Sequence, residues 1–114
     1  MEGSHAIDAA TVALEPWPLP EEAIVAGRPE VRGRVLRESA DGRVEHGVWE
    51  HTPGTSTDTE ADEVFVVLSG RATVEVEGGP TLELAPGTVG FLRAGDRTTW
   101  TVHETLRKVY HLTR

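Results

Sequence analysis

The segment Glu63-Val64-Phe65-Val66-Val67-Leu68-Ser69-Gly70-Arg71 is a dense β-branched run, opened by a carboxylate and broken by Ser-Gly. β-Branched and aromatic side chains pack well on a pleated, half-buried surface, so the run reads as a strand. Beyond it, Ala72, Val74 and Val76 alternate with Thr73, Glu75 and Glu77, the period-two pattern of a strand with one face in a core. Gly78-Gly79 supplies the positive φ that a two-residue hairpin loop needs. Thr81–Leu84 then returns, and Pro86-Gly87 makes another turn. Val89–Leu92, Thr98–Val102 and Leu106–Leu112 are three further predicted strands, separated by Ala94-Gly95-Asp96 and His103-Glu104-Thr105. Upstream, Val31–Leu36 and Val44–Trp49 flank a turn at Ala40-Asp41-Gly42. About eight short strands with Gly/Pro turns and no long helix predict an all-β, antiparallel sandwich or barrel. Thr52 to Thr59 reads as the one long polar loop, placed at a barrel mouth.

The rest of the composition bounds what such a barrel can do. The chain has 114 residues, enough for one domain: an extended arm over 1–25 and a barrel over 26–114. Eleven Lys+Arg against 19 Asp+Glu give a net charge of −8. That argues against nucleic acid and anionic membranes as partners, since both need a basic face. The absence of cysteine excludes disulfides, thiolate metal sites and a cysteine nucleophile. No apolar run approaches ~20 residues. Met1-Glu2-Gly3-Ser4-His5 lacks the basic and apolar regions of a secretory leader, so a cytoplasmic location is expected. In the arm, Pro16, Pro18 and Pro20 enforce an extended path around Trp17 and Leu19, with one helical turn after Pro20. Trp17 reads as an anchor pinning the arm to the barrel. Open sheet edges need cover, which the arm or a strand exchanged with a neighbour would supply, and a homodimer is expected.

Two spacings point to a known family. Glu63, six residues and then Gly70 resembles the end of the first cupin motif. Pro86-Gly87, five residues and then Arg93-Ala94-Gly95 resembles the second motif, with Arg where Pro is usual. Gly47-Val48-Trp49-Glu50 with Thr52-Pro53-Gly54, Thr99-Trp100-Thr101-Val102 and Leu106-Arg107-Lys108-Val109-Tyr110 narrow the likeness. Together they resemble the small single-domain cupins related to the metal-binding domain of ureidoglycine aminohydrolase. The resemblance covers Ala26 to Leu112 and implies a double-stranded β-helix, or jelly-roll barrel.

It also implies where a metal would sit, on two His, a Glu and a third His facing inward. Here only Glu63 survives. Counting back from it puts Thr57 and Thr59, or Ser56 and Asp58, in the His slots, and the second-motif slot falls on Thr98. No cofactor is therefore expected. A divalent ion remains an alternative, with Glu60, Asp62 and Glu63 as oxygen ligands, although Glu60 and Asp62 read first as a solvated acidic loop. The resemblance places Glu63, Phe65, Thr98 and Trp100 on the inner face. Trp49 and His51 share one strand parity and Val44 and Val48 the other, and the sequence leaves open which set is inside. Trp49 and Trp100 read either as core aromatics or as walls stacking on a planar or sugar-like ligand. His51 reads first as a satisfied structural residue, and Arg107-Lys108 as solvated or subunit-facing charges, with pairing of Arg107 to an internal carboxylate as an alternative. Two functions follow: binding of a small polar molecule in the barrel, or catalysis. The enzyme would use a metal, or else acid–base chemistry with Glu63 or His51 as base and Tyr110 as acid.

Overall fold

The computed structural model describes residues 3–114, so Met1 and Glu2 of the terminus read above lie outside the described residues. Every strand pairing is antiparallel. In order, the chain forms β1 (Glu15–Pro16), a 3₁₀ turn (Glu21–Ala23), β2 (Ile24–Ala26), β3 (Val31–Glu38), β4 (Val44–His51), β5 (Gly54–Thr59), β6 (Asp62–Val76), β7 (Thr81–Leu84), β8 (Val89–Leu92) and β9 (Arg97–Thr113).

Two long strands organise the molecule. β6 and β9 run beside each other from Asp62↔Thr113 to Val76↔Thr98, with irregular register around Ser69 and Arg71. At that irregularity Gly70 adopts φ +90°, and a Cβ there would stand 2.0 Å from the Thr105 carbonyl oxygen. Only glycine permits both this conformation and this approach. The bend folds the ribbon over, so β6 and β9 pass through two facing layers. One layer runs β1–β3–β4–β9–β6–β8, the other β2–β5–β9–β6–β7. This curled antiparallel sandwich is the expected jelly-roll architecture.

Three sequence readings are corrected here. Glu63–Leu68 and Ala72–Val76 are one strand of 15 residues bent at Gly70. Thr98–Val102 and Leu106–Leu112 are likewise one strand of 17 residues. The polar stretch read as a mouth loop contains strand β5, whose Thr-rich backbone is paired on both sides, with β9 and with β2.

Pairing register assigns side chains to faces, because residues opposite one another point the same way. From the bend outward the interior of β6 reads Val67, Phe65, Glu63, and that of β9 reads Leu106, Lys108, Tyr110, Leu112 on one side and Val102, Trp100, Thr98 on the other. The bend end is thus an apolar core of Phe65, Val67, Ala72, Val74, Leu84, Leu92, Val102 and Leu106. Polarity rises toward the open end. Among the described residues no helix is long and apolar enough to cross a membrane.

The arm lies on its own barrel. β1 pairs with β3, Arg107 donates to the carbonyls of Ala9, Ala10 and Val12, and Arg32 donates to that of Leu14. On the same outer face Arg107 pairs with Glu50 at 3.4 Å.

Candidate functional site

The open end holds a cavity of about 290 Å³, lined by barrel residues and by Trp17, Leu19, Pro20 and Ala23 of the arm. Local sequence explains how two of its walls fit. A Cβ on Gly33 would fall 2.1 Å from the Trp17 ring, so the missing side chain gives the indole its seat. A Cβ on Gly47 would fall 2.4 Å from the Tyr110 hydroxyl, so Tyr110 lies across the bare strand and reaches Glu45.

The cavity floor is charged. Lys108, the one lysine in the sequence, is 5% exposed and places Nζ 2.6 Å from Glu63 Oε2. Its ammonium also sits 4.5 Å from the Trp49 ring and 4.6 Å from those of Phe65 and Trp100, three aromatic faces around one cation. Burial pushes the Glu63 carboxyl above its ordinary range; Lys108 pulls against this, while Glu60 and Glu45 add to it. Beside the pair, the Tyr110 hydroxyl donates to Glu45 Oε2 at 2.6 Å, and Arg114 holds Oε1 at 3.1 Å. Burial, and then the bond to Glu45, push the Tyr110 phenol well above its usual pKa.

Nearer the mouth, Glu60 Oε2 accepts from Thr98 Oγ1 at 2.6 Å and Trp100 Nε1 at 3.1 Å. Trp49 and Trp100 pack at 5.2 Å between ring centroids, tilted by 58°. His51 is fully buried, and both ring nitrogens are used. Nδ1 lies 2.6 Å from the Thr52 carbonyl, which only accepts, so Nδ1 carries the proton and Nε2 accepts from Ser56 Oγ at 2.8 Å. Burial holds this imidazole below its ordinary pKa.

The parity left open by the sequence is resolved: Glu45, Gly47, Trp49 and His51 face inward, and Val48 is buried on the outer face. Of the residues singled out from sequence, Trp49, Glu63, Trp100 and Tyr110 line the cavity together. His51, Phe65 and Thr98 stand behind it, Thr98 by orienting Glu60 and Phe65 by flanking Lys108. Glu60 is no solvated loop residue, because two neutral donors turn it into the mouth. Asp62 points away and accepts from the Ala94 amide at 2.9 Å, so Glu60, Asp62 and Glu63 do not converge. Among the described residues no three His, Asp or Glu side chains form a metal-binding group. The donor set around Glu63 does not fit a His-ligated ion, because the nearest group to its carboxylate is itself a cation.

Besides Glu60, two residues were misjudged or missed. Lys108 is neither solvated nor subunit-facing, and the signal for it was parity, two residues from both Leu106 and Tyr110. Glu45 shares parity with Trp49 and His51 in the same way.

The model of the EutQ-like cupin domain matches residues 38–110. The EutQ protein of Clostridium difficile superposes with a TM-score of 0.72 at 19% identity, covering 95% of this chain and 85% of that one. A protein of unknown function of the DUF861 family from Pseudomonas syringae pv. tomato gives 0.79 at 26% identity; the match covers 90% of this chain but 45% of that one. Ectoine synthase from P. lautus gives 0.63 at 22% identity, over 73% and 63% of the two chains. A search of the curated proteins finds no match. A jelly roll built on Glu63–Gly70 and Pro86–Gly95, matched by that model over most of its length, places the chain in the EutQ-like cupin domain family.

Proposed function

We propose that this cupin binds a small polar molecule in its barrel, and that the Lys108–Glu63 ion pair stands in place of a His-held transition ion. The observation that carries the reading is the ammonium 2.6 Å from the surviving motif carboxylate, caged by three aromatic rings inside a cavity of about 290 Å³. A divalent cation on the same carboxylate would face a fixed positive charge a few ångströms away, in surroundings of low dielectric, where repulsion amounts to several kcal/mol. The cavity volume suits a ligand at the small end of the usual range. Elemental analysis of protein purified without chelator tests this, with substoichiometric Mn, Fe, Ni and Zn as the expected result. One equivalent of any of them, lost in Glu63→Ala, overturns it and favours the finer, ureidoglycine aminohydrolase-like reading.

A second reading is favoured by one further observation. Tyr110 and Glu45 form a short hydrogen bond facing the same cavity as Glu63, so a proton donor and a carboxylate face one bound molecule. This arrangement suits metal-free acid–base chemistry with Glu63 as base and Tyr110 as acid. His51 has no part in it, since it stands behind the cavity lining and its Nε2 is taken by Ser56. Turnover abolished by both Tyr110→Phe and Glu63→Gln, with ligand binding retained, separates this enzyme from a pure binding protein.

A further inference from the structure

The charges around the cavity do not balance, and the imbalance has a sign. Glu45, Asp58, Glu60 and Glu63 line it against Lys108 alone. Glu63 is neutralised by Lys108, and Glu45 by Arg114 from outside. Glu60 has only neutral donors, both on Oε2, and Asp58 Oδ1 accepts only from the Thr59 amide. Neither has a cationic partner among the described residues. The aromatic walls favour the same sign. All three tryptophans of the sequence line the cavity, and an indole face attracts positive charge. The deep cage of Trp49, Phe65 and Trp100 is already filled by the Lys108 ammonium. The Trp17 ring, on the arm itself, has no cation over it among the described residues.

Resting on the barrel-ligand reading above, we propose that the ligand is a small organic cation, an amine or amidinium on a flat or apolar body, and that carboxylates and phosphates are refused. Its charged head pairs with Glu60, half-buried at the mouth, and with Asp58, exposed at the rim, neither of which has a counter-charge among the described residues. Its apolar body lies against Trp17, Leu19 and Trp49. The same acidic field already acts deeper in the barrel, where Glu60 and Glu45 are among the causes that raise the Glu63 carboxyl after burial itself.

Three probes of one shape test the sign: benzylamine, benzyl alcohol and benzoate, titrated at neutral pH and low salt. Because every tryptophan lines the cavity, intrinsic fluorescence reports occupancy, and calorimetry gives affinity. Benzylamine is expected to bind about tenfold more tightly than benzyl alcohol, with benzoate weakest. Glu60→Gln keeps an acceptor for Thr98 and Trp100, and it should cost benzylamine about tenfold and benzyl alcohol much less. If that variant melts early, Asp58→Asn makes the same comparison. Benzoate binding as well as benzylamine overturns the charge inference, as does benzylamine affinity unmoved by loss of the carboxylate. Benzyl alcohol that binds with no charge preference among the probes refutes this inference and leaves the barrel site standing. No response to any probe refutes both.

Discussion

Lys108 Nζ and Glu63 Oε2 meet at 2.6 Å inside the barrel, from strand positions 45 residues apart, with side chains 5% and 8% exposed. Removing two charges from water costs several kcal/mol each, and their attraction roughly restores that loss, so the pair adds little net stability. It does hold a cation at one point of the cavity floor. Three aromatic rings and a carboxylate fix where that charge sits.

Breaking the pair from the lysine side should therefore be far more harmful than removing it whole. Lys108→Met leaves Glu63 buried without its partner and is expected to cost about 3–5 kcal/mol at pH 7. Glu63 already has a raised pKa. A carboxyl shifted in that direction gives its full stability below the ordinary value of 4.5 and loses it as pH rises through the folded value. The Lys108→Met deficit should thus shrink on acidification and grow above neutrality. Lys108→Met/Glu63→Gln should recover most of it at every pH. Thermal melting of the two variants between pH 5 and pH 8 checks both statements.

The arm makes a separable contribution. Gly33→Ala places a methyl 2.1 Å from the Trp17 ring, too close for either to remain. The indole is carried by the arm, next to the two-residue strand β1, and should leave its seat at a cost of about 1–3 kcal/mol. Tryptophan emission should shift to the red, proteolysis should cut the arm sooner, and benzylamine binding should weaken several-fold. A variant with native emission and native arm protection would show that Trp17 is not a wall of the site.

What the sequence displayed and what it concealed divide along a physical line. Pro86-Gly87, the existence of a turn at Gly78-Gly79 and the Ala72–Val76 alternation were legible because turns and period-two burial are local properties; the loop length was not, since four residues, 77–80, join the strands and only Gly78 takes a positive φ. The family motif added Glu63 by position. Gly54–Thr59 was read as a loop because Thr, Ser, Asp and Gly favour turns, and only pairing with β9 and β2, both distant in sequence, makes it a strand. An isolated charge on a strand belongs in solvent, so the sequence alone places Lys108 there. The groups that bring it inside, Glu63 and three rings, come from elsewhere in the chain. Glu60 failed for the same reason: its partners Thr98 and Trp100 lie 38 and 40 residues away.

His51 should behave as a structural residue. Ser56→Ala removes the only donor to a fully buried Nε2 and is expected to cost about 1–3 kcal/mol. Burial depresses the His51 pKa below 6.5. Its contribution is therefore complete above that value and is lost as pH falls through the folded value, when the ring must charge with no room to do so. Melting curves of the native chain should fall between pH 7 and pH 5, and His51→Gln should flatten that fall. An imidazole that titrates normally by proton NMR would show that the ring is reachable by solvent and by ligand.

Tyr110 offers the cleanest reading of the cavity floor, because it is the single tyrosine of the sequence. Tyrosinate absorbance near 295 nm therefore reports this group alone. Burial comes first, and then the hydrogen bond and the negative charge of Glu45, in holding the phenol above its ordinary value of 10.0. A group raised in this way contributes stability that is complete below pH 10 and is lost as pH climbs toward the folded pKa. The folded protein should show almost no tyrosinate at pH ~11, where a free phenol is about nine-tenths ionised. Tyrosinate should then appear together with loss of the far-ultraviolet strand signal, since ionisation and unfolding are linked. Glu45→Gln removes the charge but keeps an acceptor at the same distance, so ionisation should move down toward the ordinary range while the fold persists. A native chain that ionises near pH 10 with its strands intact would mean that the Tyr110–Glu45 bond is open to water. Burial and Glu45 would then not be what holds the proton on Tyr110.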